Sequence, residues 1–475
     1  MSPSRTRSAI AALVMLMVGS VEPARCAPTD DPSPPAEPVR LVFVHHSTGQ
    51  NWLADGYGNL GRTLGENNYY VSDTNYGWGP GSIGDRTDIP DWLEWFAGAD
   101  TPTVMAALYA EGEQRSDYSR TLDDPGGENR VILFKSCFPN SDLSGGPDDP
   151  PTALAGYTVG HAKYVYNTIL DYFAQHTDKL FLVVAAPPLS DGTHAANARA
   201  FNNWLVYQWL WENDYSHGNV AVLDFYTILT HSSYHHRFLN GDVRHSFGPH
   251  NTNFYPSSPG DDHPSAQGSR KATAELVPLI NVFYRRWQAG ARNLAIPADG
   301  AWDGWVRESS ESSGQGGLVD SAGVGVRVGD DAADRQYRSV LSFDTARLPD
   351  GAVIYGAMLK LKHRALAGTD PFATHGALLV DVRRGRFGGA GALEPEDFEA
   401  PASRAAIASL GATGIHGWHS AAVRNLDFPR IDPQRSTQLR LRFAQDDNDD
   451  RSADYRVFHS ADTAAPPSLW ITYRP

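Results

Sequence analysis

Cysteine is nearly missing from these 475 residues: only Cys26 and Cys137 occur. That excludes a disulfide framework and a ribbon-type zinc site, because both need closely spaced cysteine pairs. Positive charge is also scarce. Forty lysines and arginines stand against 55 aspartates and glutamates, a formal net charge of -15, which argues against sequence-independent nucleic-acid binding through a basic surface. The acidity otherwise indicates solubility and identifies no partner. No apolar run is long enough to span a bilayer comfortably. Ala9–Val21, behind the basic Arg5 and Arg7, instead has the layout of a secretory signal. Spacing of the HExxH kind is absent, and neither half of the chain contains a tandem repeat.

What is present divides the chain. Residues 1–27 are expected to be a signal peptide, with Ala24 and Cys26 at small-residue positions before the cut and Ala27 as an alternative end. An N-terminal membrane anchor is the competing reading. Residues 28–39, which carry "PTDDPSPPAEP", read as a disordered, proline-rich spacer. The mature protein is then expected to be secreted, extracellular or periplasmic, with no stable membrane insertion once the signal is gone. Cys137 is left without a partner.

Residues 40–288 alternate strands with helices. Leu41–Val44, Tyr69–Val71, Arg130–Phe134, Leu180–Ala185 and Val220–Leu223 are apolar on both faces, as strands of a covered parallel sheet are. Helices are predicted over Asn51–Gly65, Ala153–Gln175, Ala195–Glu212 and Ser265–Trp287. The alternation implies a three-layer α/β/α domain. Residues 289–300 have linker composition. In residues 301–475 short strands recur between turns: Gly304–Arg307, Gly325–Val328, Val340–Phe343, Val353–His363, Ala377–Val382, Gln438–Phe443, Tyr455–Phe458 and Leu469–Tyr473. That pattern predicts an all-β antiparallel sandwich, with "ASRAAIASLGA" as a helix-like exception.

The stretch "RLVFVHHSTGQNWL" ends a buried strand on a serine, Ser47, just ahead of a helix. Ligands of open α/β sheets bind beyond the carboxyl ends of the strands. A serine there is either a helix cap or a nucleophile. Three further clusters favour the nucleophile. "FKSCFPNSDL" brings Ser136, Cys137 and Asn140 to the same edge, and "SDTNYGWGPGSIGDRTD" supplies a glycine-rich loop. "GDDHPSAQG" sets Asp261, Asp262 and His263 before the last helix. Together these supply a hydroxyl, a base and oxyanion donors.

This order resembles the SGNH (GDSL-like) hydrolase superfamily over Arg40 to Trp287. The resemblance implies a flavodoxin-like hydrolase in which Ser47 is the nucleophile and His263 the base. Asp261, or alternatively Asp262, would orient the histidine. Asn140, the Ser47 N–H and a glycine N–H would form the oxyanion hole, with Gly77 preferred over Gly79, Gly81 and Gly84. Several motifs depart from the family pattern. His46 stands where Gly-Asp-Ser has aspartate, Pro139-Asn140-Ser141-Asp142 replaces Gly-x-Asn-Asp, and Gly260 occupies the usual acid position.

Rival readings remain for several of these residues. His45 and His46 would ligate a metal together with Asp73, His263, His235 or His236, although adjacent strand residues point to opposite faces. Cys137 is a buried thiol or an alternative nucleophile. Trp78, Trp92 and Trp95 form either a stacking wall for a sugar or part of the core, and Arg86 and Asp88 would line the cleft.

"YRSVLSFDTARLPDGAVIYGAMLKLKHR" and the terminal "PSLWITYR" resemble the DNRLRE-type β-sandwich, a carbohydrate-binding-module-like attachment. The resemblance implies a polysaccharide held by the C-terminal domain. Gln445–Asp454 is an acidic turn or a calcium loop. The reading is a secreted serine esterase that removes acyl (acetyl) esters from a carbohydrate or another small ester, with no cofactor and no metal. The alternatives are a catalytically inactive glycan-binding or surface protein and a metal-dependent hydrolase using the histidines.

Overall fold

The computed structural model describes residues 30–389 and 392–475. The expected signal, residues 1–27, lies outside them, as does Cys26. The first half of the chain is built on five parallel strands: β1 (Val39–Val44), β2 (Tyr69–Thr74), β3 (Val131–Lys135), β4 (Leu180–Val184) and β5 (Val220–Leu223). Their order is β2-β1-β3-β4-β5, a doubly wound arrangement whose switch point falls between β1 and β3. Almost every strand residue is buried, which is why the strands appear as unbroken apolar runs.

Alternate strand residues enter two different cores, as the two-residue period of a strand requires. Val42, Val44, Ile132 and Phe134 pack with Trp92, Phe96 and Phe173 on one face. Leu41, Phe43, Leu133 and Leu182 pack with Trp52, Leu276 and Ile280 on the other. The helices that supply these layers are α1 (Thr48–Leu53), α2 (Leu60–Glu66), α3 (Trp92–Ala97), α4 (Thr101–Ala110), α5 (Val159–Gln175), α6 (Ala195–Tyr207), α7 (Trp209–Glu212), α8 (Phe225–Thr230) and α9 (Ala266–Gln288). The helix predicted over Asn51–Gly65 is two helices. Gly58 lies against the backbone of Trp52, where a Cβ would meet the Trp52 carbonyl oxygen at 2.3 Å, so the chain folds back between them. α5 begins at Val159, not Ala153, because Thr158 caps it by accepting from the His161 N–H. A hairpin not expected from the sequence, His235–Leu239 with Asp242–Ser246, lies beside α9. There His235 Nδ1 is 2.7 Å from Glu275 Oε1.

Two expectations about connecting segments are overturned. The described part of the supposedly disordered spacer is irregular but docked on the end of α9. Asp30 forms two hydrogen bonds, 2.8 and 2.7 Å, with the Arg286 guanidinium, and Asn281 Nδ2 donates to Pro32 O at 2.9 Å. Composition reports flexibility only when no partner lies near, and here arginine and asparagine side chains fix the proline-rich backbone. The supposed linker contains a strand, Arg292–Pro297, paired antiparallel with Ser468–Arg474.

The second half is a single antiparallel sheet of twelve strands among the described residues. It is curled around one core that includes Val326, Leu341, Leu359, Val380, Leu439, Phe458 and Ile471, and is not two separate sheets. The strand Val353–Ala367 explains the curl. Its first part pairs with Ser468–Arg474 and its last part with Tyr455–His459, with register breaks at Ile354/Gly356 and His363/Ala365. The alanine-rich stretch expected to be helix-like is the strand Arg404–Leu410, paired with Leu378–Arg384. Burial of Ile407 and Leu410 in the core outweighs the high intrinsic helix propensity of alanine there. Among the described residues, no helix is long and apolar enough to cross a membrane.

The Asp30–Arg286 pair yields a stability prediction. Its side chains are 4% and 15% exposed, so Asp30→Ala strands a poorly hydrated guanidinium. The substitution should cost about 2–3 kcal/mol, read as a lower thermal unfolding midpoint of the whole chain. An unchanged midpoint would show that this ion pair does not stabilise the fold.

Candidate active site

β1 delivers the chain to the carboxyl edge of the sheet at the β1/β3 switch point. There Ser47 adopts φ 44° and ψ -99°, a conformation uncommon for a side-chain-bearing residue and typical of strained sites. Gly49 permits the sharp turn into α1, since a Cβ there would lie 2.4 Å from the His45 Cβ. Ser47 makes no side-chain cap to α1. Its hydroxyl points elsewhere.

Ser47 Oγ lies 2.8 Å from His263 Nε2, and His263 Nδ1 lies 2.9 Å from Asp261 Oδ1. An ionised carboxylate only accepts, so Nδ1 carries the proton and Nε2 is left to accept from the serine hydroxyl. The segment carrying the histidine is closed on itself by Ser257 N–H to His263 O, 2.8 Å, and Asp261 N–H to Ser258 O, 3.0 Å. Phe138 packs edge-on to the imidazole at 4.8 Å. Asp262 turns away and accepts from Ser190 N and Oγ at 2.6 and 2.7 Å. Of the two neighbouring acids, Asp261 is the one aligned with the histidine. Its carboxyl is held down at about 2 by the Ser257 hydroxyl, the His263 backbone N–H and the His263 ring.

The expected oxyanion donors are arranged differently. The Gly77 N–H is engaged by Asp85 Oδ1 at 2.8 Å. The Asn140 amide donates to Asp88 Oδ1 at 2.5 Å and Cys137 O at 3.1 Å, while its oxygen accepts from Ile89 N–H at 2.6 Å. Asn140 is therefore a tie between two loops, with both amide hydrogens committed, and Gly77 stabilises its own turn. An N–H already bonded to a carboxylate offers little to a developing oxyanion. Tyr76, 61% exposed, instead stands at this rim, with its ring 5.4 Å from that of His46. Tyr76 was not singled out in the sequence. Its only signal is its place directly before Gly77 in "DTNYG", and Ser257 gave no sequence signal at all.

The remaining candidates scatter. His45 is buried and bonded through Nε2 to Asp73 Oδ2 at 3.0 Å, whereas His46 turns to the Thr87 hydroxyl. His236 accepts from Asp224 N–H at 3.0 Å on another element. Among the described residues no three histidine, cysteine, aspartate or glutamate side chains are grouped to hold a metal ion, and this includes the acidic turn Gln445–Asp454. Cys137 is buried, its sulfur 3.1 Å from Thr48 Oγ1. Burial opposes its thiolate, but the Lys135 ammonium together with His46 and Thr48 pulls its pKa down. Its sulfur faces Thr48 and lies below the rim. Trp92 and Trp95 are core residues. Trp78 stacks on Trp95 at 6.0 Å and donates to Glu111 Oε2 at 2.7 Å. Arg86 pairs with Glu94, and Asp88 accepts from the exposed Tyr157 hydroxyl at 2.8 Å.

No protein-family model matches the chain, and no curated protein matches its sequence. Among solved structures, one described as "BT4096 a gut microbial diltiazem-metabolizing enzyme" is similar over 66% of this chain and 57% of its own, at 8% identity and a TM-score of 0.24. The chain thus spans little more than half the length of that protein. A likeness this slight carries no argument about fold or activity.

A titration prediction follows from Asp261. A depressed carboxyl pKa means that its stabilising contribution is present above the ordinary value of 3.8 and is lost as pH falls toward 2. Ser257→Ala removes the largest cause of the depression, so the Asp261 titration followed by NMR should move up toward 3.8. A midpoint that does not move would mean that the Ser257 hydroxyl does not hold this carboxylate.

Proposed function

We propose that this chain is a secreted serine esterase of the SGNH type that removes acyl groups, foremost acetyl, from a carbohydrate. The observation that carries the reading is the line from Ser47 Oγ to His263 Nε2 and from His263 Nδ1 to Asp261, 2.8 and 2.9 Å. Three side chains within hydrogen-bonding reach, in the order nucleophile, base, orienting acid, form the arrangement that activates a hydroxyl. The doubly wound strand order and the position of Ser47 at the switch point agree with it.

Ser47 Oγ attacks the ester carbonyl while its proton passes to His263 Nε2. Asp261, ionised, stabilises the imidazolium that forms. The C–O bond of the ester then breaks, and the alcohol leaves with the proton from His263. Water adds to the acyl-enzyme by the same route, His263 taking its proton, and the acid departs to regenerate Ser47. The oxyanion is assigned to the Ser47 N–H, since Gly77 and Asn140 are engaged elsewhere. The half-exposed His263 and the exposed Tyr76 and Tyr157 at the rim suit an ester on a bulky polyhydroxylated substrate better than one swallowed whole.

One observation favours a second reading. A catalytically inactive glycan-binding protein accounts for oxyanion donors that are tied up. The two readings separate in one assay, p-nitrophenyl acetate hydrolysis by the full mature chain with and without EDTA. An esterase turns over in EDTA, and Ser47→Ala abolishes the turnover. Asp261→Asn should lower kcat by about a hundred- to ten-thousandfold, while Asp262→Asn keeps most of the activity. Turnover that survives Ser47→Ala would overturn the mechanism, and no turnover in any protein would favour the binding reading.

A further inference from the structure

We propose that the cleft between the two halves of the chain is a saccharide-binding site, separate from the serine centre. Its volume is about 670 Å³. Trp211, Glu212 and Asp214 from the end of α7 line one wall, and Trp418 and Trp470 from the curled sheet with Arg347 from a turn of it line the other. Ser216, at the same wall, precedes the entry into β5. The cleft therefore lies at the amino-terminal edge of the parallel sheet, across the domain from Ser47 at the carboxyl edge.

The aromatic walls are built before any ligand arrives. Trp211 and Trp418 cross edge to face with ring centroids 4.6 Å apart. The Trp211 indole N–H donates to Ser468 Oγ at 3.3 Å, joining the two halves. Lys360 Nζ lies 5.1 Å from the Trp211 ring centroid and Lys362 Nζ lies 5.6 Å from that of Trp418. All three tryptophans are only partly buried, so each keeps some indole surface open to the cleft. The Arg347 side chain makes one hydrogen bond among the described residues, at 3.4 Å to Ala295 O, and the residue is otherwise exposed. Glu212 and Asp214 are exposed as well, although Glu212 Oε2 already accepts from Trp204 Nε1 at 2.7 Å.

Those features select the ligand class. A sugar ring has an apolar C–H face that stacks on indole and an edge of hydroxyls that pairs with planar carboxylates and guanidinium. A hydrocarbon ligand would strip water from Glu212, Asp214 and Arg347 and give them nothing in return. A nucleic acid would bring its phosphates against two carboxylates. The rim carries both signs of charge, which suits a neutral glycan, and the volume fits a short segment of one. Because both halves contribute walls, only the whole chain forms the site.

The site does not depend on the hydrolytic reading, and the test keeps the two apart. The full mature chain carrying Ser47→Ala is run by affinity electrophoresis in gels containing xylan, galactomannan or hydroxyethylcellulose. Retardation by at least one of these polysaccharides is expected. Trp470→Ala and Arg347→Ala should each weaken it by about tenfold, with p-nitrophenyl acetate turnover of the Ser47-containing protein unchanged. Arg347 is exposed on a turn, so its variant decides the matter if Trp470→Ala fails to fold. Absence of retardation in all three gels overturns the proposal. So does retardation that Arg347→Ala leaves intact.

Discussion

Everything attributed to Ser47 depends on one contact made across 216 residues, its hydrogen bond with His263. His263 is oriented locally by Asp261, but only long-range packing brings it to Ser47. α1 and α9 lie side by side, and three bonds lock them and their adjoining turns together. Trp52 Nε1 donates to Thr273 Oγ1 at 2.9 Å, Tyr57 OH donates to Pro264 O at 2.8 Å, and Arg270 Nε donates to Tyr57 O at 2.8 Å. The stacking of Trp52 on Phe225 at 4.5 Å anchors α1 against the sheet. The Ser47–His263 geometry is thus a by-product of helix packing in the second core, and Ser47 tolerates its strained backbone because that packing fixes both sides of it.

The same economy of contacts joins the halves of the chain. Gln208 Nε2 reaches Ile415 O at 2.7 Å, Asn425 Nδ2 reaches Gly241 O at 2.8 Å and Arg286 Nη2 reaches Tyr355 O at 3.1 Å. The Lys360 ammonium, buried where the halves meet, donates to Tyr207 O, and burial pulls its pKa down to about 7. Side chains of one half bond main-chain oxygens of the other, and Ile415 packs against the first-half core. The aromatic cleft opens where this network gives way to tryptophans.

Much of the fold was legible because its signals are local. Five doubly buried strands announce themselves as apolar runs, and the long helix ahead of Trp287 shows helical spacing. Ser47, His263 and Asp261 were legible because each lies just beyond a recognisable strand or before a recognisable helix. What was not legible depended on distant partners. The spacer docks because Arg286 is there, the linker becomes a strand because Ser468–Arg474 needs a neighbour, and an alanine-rich stretch is a strand because an edge was open. Asn140 and Gly77 occupy plausible positions, yet Asp88 and Asp85 claim their donors.

The sequence by itself determined the two classes of architecture, the strand order's raw materials and the identity of the serine, the histidine and a pair of candidate acids. Backbone periodicity and turn chemistry are properties of neighbouring residues, so they survive in one dimension. Only the tertiary structure decided which acid faces the histidine, which donors are free and where tryptophans from two domains meet. Those are questions of direction and competition among side chains far apart in the chain, and hydrogen-bond donors are assigned only when every acceptor around them is in place.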